Sequence, residues 1–333
     1  MMKKALALIL ATLMLVAVFT GCAAKNDPPA TDENVAADQN VGTEQTEEKK
    51  DLKDMRFAYI SSSTNDYWTQ LQNGVQDAAD KAEIDLTFTI GAQGDVAAAV
   101  ANIEAAVGAG VDGIICTCVD PAAVIDVVNR AVAQGIVVVF VDQDSPDSDR
   151  QYYIGTSNYA SGVMMGEYFL DRVGDKEMKV AIYAGDISAI NAVERIQGFK
   201  DTVKDHDNIE IVTYEQVNND VQITMDKTYA LFNGYPEVNA IYGVLAYDPQ
   251  GAAKACKELG KDDVFVFGFD DFPDSIELMK EGWIQGLAVQ QPYEIGRIAV
   301  ETVIAAAQGN GPEFGSINTS IDIVTPENVN DNY

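Results

Sequence analysis

The sequence predicts an α/β protein of two doubly wound lobes, and three observations carry that expectation. From Met55 onward, short β-rich runs alternate with stretches of helical spacing, roughly nine times, which is more than one open sheet comfortably holds. The run Ile136-Val137-Val138-Val139-Phe140-Val141 is apolar without alternation, as suits a strand buried on both faces of a parallel sheet. Gly110 and Gly135 follow helical stretches and can take the left-handed cap.

In chain order, Arg56 to Ile60 is strand-like and Tyr67 to Ala82 has helical spacing. Leu86 to Ile90 is a strand, and Asp95 to Ala109, rich in Ala and Val, a helix. A strand from Val111 to Thr117 and a helix from Pro121 to Gln134 lead into the Ile136 to Val141 strand. The pattern then repeats: helix Tyr159 to Val173, strand Lys179 to Tyr183, helix Ala192 to Lys204, strand Ile209 to Tyr214, helix Gln222 to Asn233. Strands at Val238 to Val244, Val264 to Phe269 and Ile284 to Val289 alternate with helices at Pro249 to Leu259, Pro273 to Glu281 and Pro292 to Gln308. The long last helix and a final strand near Ile321 imply that the chain crosses between lobes more than once.

The first 54 residues have another character. Lys3 and Lys4 precede an apolar stretch from Ala5 to Phe19, the length of an export signal and short for a membrane span. It ends in Phe19-Thr20-Gly21-Cys22, which resembles the lipobox of bacterial lipoproteins, with Phe19 where Leu is usual. Residues 1–21 are therefore expected to be a lipoprotein signal peptide and Cys22 the lipidated N-terminus. Residues 22–54 are expected to be a disordered acidic linker, because nine acidic, four basic and almost no large apolar residues between Ala23 and Asp54 cannot offset the entropy of ordering.

Composition excludes several kinds of function. Of 333 residues, 47% are apolar and 22% charged, enough for a sizeable core. The net charge of −30 argues against a nucleic-acid partner, which needs a basic face. There is one His, His206 between Asp205 and Asp207, so no His-based catalytic constellation can be built. Cys116, Cys118 and Cys256 are expected to be buried thiols, and a Cys116–Cys118 bridge is geometrically poor along one strand. The four Asp between positions 142 and 149 lack the Gly and terminal Glu of an EF-hand loop, and no P-loop occurs. No metal and no cofactor are expected.

In open parallel sheets a ligand sits beyond the carboxyl ends of the strands. Those ends carry Asn65-Asp66-Tyr67-Trp68, Asp142-Gln143, Arg195 on the helix after Asp186, Asn219, Tyr247-Asp248, Asp270 and Gln290. Carboxylates and amides satisfy hydroxyls as donors and as acceptors, and aromatic rings cover the C–H faces of a sugar. Plainer roles stay open: Tyr67-Trp68 as helix packing, Asp142, Asp248 and Asp270 as caps, Arg195 as a surface ion pair.

These strand ends resemble the ribose/galactose class of periplasmic-type solute-binding proteins that feed sugar ABC transporters. The markers, between about Met55 and Val329, are Asn65-Asp66-Tyr67-Trp68, Val141-Asp142, Arg195-Ile196-Gln197-Gly198-Phe199, Pro236-Glu237-Val238, Gly268-Phe269-Asp270 and Gln290-Gln291-Pro292. The resemblance implies the type I periplasmic binding protein fold: two Rossmann-like lobes, a three-segment hinge near Ser157, Gln291 and Thr319, and a cleft between them. It places residues 55–156 with 292–319 in an N-terminal lobe and 157–291 with 320–333 in a C-terminal lobe. It implies that Tyr67 and Trp68 stack on the ligand, while Asn65, Asp142, Arg195, Asp270 and Gln290 bond its hydroxyls. Gln143 stands where ribose binders carry Arg, Asn219 where they carry an aromatic, and Tyr247-Asp248 two residues beyond the expected Asn-Asp pair.

The expectation is a non-enzymatic, lipid-anchored substrate-binding protein of an ABC importer that captures a monosaccharide or related polyol by hinge closure. Its partners would be the sugar, the transporter permease and the membrane through its lipid anchor, and the protein would be monomeric. It would sit on the cell surface or the periplasmic side of the bacterial cytoplasmic membrane. The alternatives are a sensory sugar receptor for a membrane kinase or chemoreceptor, and a cleft enzyme such as a glycosidase using Asp142 and Asp270 as a carboxylate pair.

Overall fold

The computed structural model describes residues 50–332 apart from Ser62 and Gln93. The expected signal peptide, Cys22 and nearly all of the linker lie outside the described residues.

The most apolar runs form central strands, and the mixed runs lie at the edges. In the first sheet, β1 (Arg56–Ser61), β3 (Gly113–Cys116), β4 (Val137–Val141) and β5 (Tyr152–Thr156) are flanked by β2 (Asp85–Ile90) and β11 (Gly315–Thr319). Their order is β2-β1-β3-β4-β5-β11, parallel throughout. In the second sheet, β6 (Met178–Ala184), β8 (Ala240–Gly243), β9 (Phe265–Phe269) and β10 (Gly286–Val289) lie between β7 (Ile209–Gln216) and β12 (Asp322–Val324). The order is β7-β6-β8-β9-β10-β12, and the last strand alone runs antiparallel. The two sheets thus repeat one strand order and differ in the direction of the sixth strand.

Alternate residues of each sheet feed two apolar layers, as the pleat requires. Phe57, Tyr59, Val139, Val141 and Ile154 face α1 (Asp66–Ala82) and α9 (Pro292–Ala307). Ala58, Ile60, Ile114, Val138 and Phe140 face α2 (Val96–Ala109) and α3 (Ile125–Ala133). In the second lobe, Val180, Ile182, Tyr242 and Phe267 face α4 (Asn158–Val173) and α5 (Ile190–Val203). Ala181, Tyr183, Ile241 and Val266 share the other layer with α6 (Val221–Gly234), α7 (Tyr247–Leu259) and α8 (Pro273–Lys280).

The chain passes between the sheets three times. After β5 it enters α4, which packs on α5; after β10 it enters α9, which packs on α1; and β11 and β12, in different sheets, are joined by two residues, 320 and 321.

Glycines let the paired helices meet backbone to backbone. A Cβ at Gly162 in α4 would lie 2.1 Å from the Arg195 carbonyl oxygen, and one at Gly198 in α5 would lie 2.1 Å from that of Tyr159. Gly162→Ala must push α5 away from α4, and a stability loss of about 1–3 kcal/mol is expected in urea unfolding. An unchanged midpoint would show that the helices separate freely.

Two strands fall outside the expected series. β5 follows β4 with no intervening helix, so a series of strictly alternating strands and helices passes over it. β11, Gly-Ser-Ile-Asn-Thr, has weak strand propensity and forms because β5 offers it an open parallel edge. The helix expected from Pro121 starts at Ile125, because the Asp120 carboxylate accepts from Ala122 N and Ala123 N, both at 2.9 Å, and closes a turn first.

Cys116, Cys118 and Cys256 are buried free thiols; burial pushes Cys116 well up and Cys118 and Cys256 to about 12. Among the described residues, no helix is long and apolar enough to cross a membrane, and no group of three His, Cys, Asp or Glu could hold a metal ion.

Candidate functional site

Asn65 caps α1, its Oδ1 accepting from Trp68 N at 3.2 Å, which fixes Tyr67 and Trp68 in the first turn. The two rings meet edge to face, 5.5 Å between centroids. Tyr67 Oη donates to Asp142 Oδ1 at 2.6 Å.

Asp142 and Asp270 occupy equivalent places in the two lobes. Each follows a strand, β4 or β9, and each lies in the left-handed region, with φ of 64° and 63°. Each N–H donates to the neighbouring strand at 3.0 Å, Asp142 to Ile154 O and Asp270 to Ala288 O. The ladder therefore runs one residue past the strand before a turn that non-glycine residues rarely adopt. Both line one cavity of about 460 Å³.

Arg195, only 2% exposed, is the hub of this cavity. Its Nε donates to Asn158 Oδ1 at 3.0 Å, Nη1 to Val244 O at 2.9 Å, and Nη2 to Gln290 Oε1 at 3.0 Å. Gln290 Nε2 in turn donates to Asp270 Oδ1 at 2.9 Å. The guanidinium also lies over the Phe269 ring, 4.1 Å from its centroid. Three of its five N–H groups are thus committed to protein acceptors, leaving two for a ligand.

Burial raises both carboxyl groups, Asp270 to about 6, while Arg195 opposes the shift at each and Tyr67 and Gln290 oppose it at Asp142 and Asp270 respectively. The chemistry is that of convergent acceptors and donors around an uncharged polar group.

Of the ten residues expected to touch a ligand, Asn65, Tyr67, Trp68, Asp142, Gln143, Arg195, Asn219, Asp270 and Gln290 line this cavity. Asn219 joins it with φ of 48°, its Oδ1 accepting from Tyr247 N at 3.1 Å. Asp248 does not, which corrects the expectation. It is fully buried in the first turn of α7, where its Oδ2 accepts from Leu245 N at 3.0 Å. β8 ends at Gly243, so Leu245 and Ala246 reach the cavity and Asp248 lies in the helix behind them. Phe272, 4% exposed, lines the cavity from the second lobe and was not anticipated; it stands two residues after Asp270. Asn158, which holds Arg195 from behind, carried no signal of its role.

Burial pushes Asp248 to about 8, so its folded value lies above its ordinary one near 3.8. Its contribution to stability is present at low pH and lost as pH rises toward 8. Asp248→Asn should remove that part of the pH dependence. In urea unfolding at about pH 5 and pH 8, the wild type should lose on the order of 2–4 kcal/mol more than the variant over that rise; parallel profiles would contradict this account.

Two lobes of one strand order, joined by three connections around a polar cavity, define the class of two-lobed periplasmic-type binding proteins. The family described as periplasmic binding protein domain matches residues 57–311. The ribose import binding protein RbsB of Bacillus subtilis is 27% identical over 242 residues, 73% of this chain and 78% of that protein. The solved solute-binding protein from Burkholderia graminis in complex with D-arabinose is 31% identical with a TM-score of 0.79, covering 84% of this chain and 98% of that one. GanP, a glucose-galactose binding protein from Geobacillus stearothermophilus, is 30% identical with a TM-score of 0.77, covering 83% of this chain and 99% of its own. The chain belongs to the periplasmic binding protein family and has its type I fold.

Proposed function

We propose that this protein is the substrate-binding lipoprotein of an ABC importer and captures a monosaccharide or related polyol between its lobes. The carrying observation is the pair Asp142 and Asp270, one from each lobe, in one cavity with Arg195 and Gln290 and beside Tyr67, Trp68 and Phe272. Such a set meets ring hydroxyls from both lobes and covers a C–H face, so the ligand itself bridges the lobes and favours closure. Closure then presents to a permease a surface that the open form lacks. A relative named for ribose import, and two other solute-binding proteins solved with D-arabinose and with myo-inositol, support a polyol ligand. The hinge would run through residues near 157, 291 and 320, between the two sheets. The lipid on Cys22 would hold the domain at the outer face of the cytoplasmic membrane through the acidic linker.

We read the site as non-catalytic. Tyr67 already engages Asp142 and Gln290 engages Asp270, so both carboxylates serve as fixed acceptors. A sensory role, in which the closed protein is read by a second protein, is the second reading; a neighbour of this fold, 26% identical with a TM-score of 0.74, was solved in a complex with another protein, the XylFII–LytSN complex.

Calorimetric titration with a panel of pentoses, hexoses and inositols should give at least one ligand of micromolar or tighter affinity, and native mass spectrometry should show that ligand unaltered after prolonged incubation. A panel without binding would overturn the reading, and a mass change in the ligand would restore the enzyme. Stimulation of the reconstituted importer, absent for a dedicated sensor, separates transport from sensing.

A further inference from the structure

Arg195 draws its acceptors from places far apart in the chain. Asn158 is the second residue after β5, where the chain first passes between the sheets. Gln290 is the first residue after β10, where it passes a second time. Val244 follows β8, a central strand of the second sheet. The plane of one guanidinium is thus set from two of the connections between the lobes and from the sheet of the second lobe.

The contact that the local sequence least explains is the one to Asn158. An Asn at the start of a helix ordinarily turns its side-chain oxygen onto the helix's own N–H groups. Here Oδ1 accepts from Arg195 Nε at 3.0 Å instead, and Ser157, the residue before α4, makes no side-chain cap either. The backbone at Asn158 is held in turn: the hydroxyl of Ser161, itself fully buried, donates to Asn158 O at 2.7 Å. One turn further on, Gly162 lets α4 close on the Arg195 carbonyl. Positions 158 and 162 share one face of α4, so one face holds both the side chain and the backbone of the same arginine.

Asn158 is 7% exposed and does not line the cavity that Arg195 and Gln290 line, so it meets a ligand there only through Arg195. Without an acceptor at Nε the planar fork is free to turn about its side-chain bonds, and the N–H groups left for a ligand turn with it. Resting on the reading of function above, we propose that Asn158 is a positioning residue for ligand capture: from the first connection between the lobes it fixes the plane of the Arg195 guanidinium and so decides where the two uncommitted N–H groups point.

Two variants of nearly the same shape test this. Asn158→Leu removes the acceptor, and Asn158→Asp keeps it. In calorimetry with the pentoses, hexoses and inositols that the wild type binds, the leucine variant should be about tenfold or more weaker, and the aspartate variant should return to within about threefold of wild type. Asn158→Ala, with the same expected loss, takes the place of a leucine variant that does not fold. Leucine-variant affinity within about threefold of wild type overturns the proposal. So does an aspartate variant no tighter than the leucine one, because the acceptor is then not what matters. The proton resonance of the Arg195 Nε–H, assigned with Arg195→Lys, reads the same contact without ligand. It should lie downfield in the wild type and in the aspartate variant and move upfield in the leucine variant. A resonance that stays in place overturns the positioning even where affinity falls, since a purely structural loss leaves it there. A wild type that binds no member of the panel overturns the reading of function instead, and the Nε–H resonance then decides the positioning by itself.

Discussion

Arg195→Ala should abolish ligand capture and cost about 3–5 kcal/mol of folding stability, the range for removing one member of a buried charged network. The substitution deletes more than one contact. Asn158 Oδ1, the Val244 carbonyl and Gln290 Oε1 each lose their donor, and Gln290 is then free to turn away from Asp270. Asp142 and Asp270 also lose the positive charge that opposes their desolvation, so both rise further and a larger fraction is protonated near neutral pH. The cavity would be left with its acceptors blunted and its Phe269 wall uncovered. Arg195→Lys separates these effects. Lysine keeps the charge but has one nitrogen where the guanidinium serves three acceptors in a fixed plane, so part of the stability should return while affinity stays at least tenfold weaker. Urea unfolding and calorimetry on both variants check this. An Arg195→Ala protein that unfolds at the wild-type midpoint and binds within threefold would show that the buried Arg195 network supports neither the fold nor the ligand.

The parts of the site that sequence reasoning could reach are those fixed locally. Asn65 precedes a helix at capping distance from Trp68, and Asp142 and Asp270 stand at the first position after strong strands, so their placement follows from where those strands stop. The repeated strand order then brings two local features together. What escaped depends on contacts distant in sequence. Asn158 matters because α4 crosses α5 at Gly162 and Gly198, and nothing around Asn158 signals that crossing. Phe272 enters the cavity because α8 begins one residue later, at Pro273. Asp248 was legible as a cap and also as a strand-end ligand; it is neither, because the early stop of β8 places Ala246 at the N-cap and Asp248 inside the first turn of α7, where it holds Leu245 N. Strict strand–helix alternation hid β5, because the chain returns to the sheet from β4 without a helix. It hid β11 because an edge strand need not be apolar.

Asp270→Asn should weaken binding of the captured polyol by about 10- to 100-fold without loss of folding stability, and it should remove a pH dependence that the wild type shows. The ligand-free carboxyl group titrates at about 6, raised by burial. Hydroxyls that donate to it favour the charged form and lower that value in the complex, so binding releases a proton at pH between the two values. Affinity should therefore be level above about pH 6 and fall by up to tenfold per unit as pH drops below it. Folding has the opposite sign. A carboxyl raised on folding contributes stability at low pH that is lost as pH rises from near 4 through 6, so the asparagine variant should be as stable as the wild type or more so above pH 6. Asn can still accept from Gln290 through its Oδ1, so the network behind it persists. A charge-assisted hydrogen bond lost to the ligand, about 1.5–3 kcal/mol, sets the size of the affinity change. Affinity and stability thus move in opposite directions, which no general unfolding of the second lobe can imitate. Calorimetric titrations from about pH 5 to 8, with unfolding measured alongside, decide it: wild-type affinity that stays constant below pH 6 would remove Asp270 from the ligand's contacts and leave it as a turn residue at the end of β9.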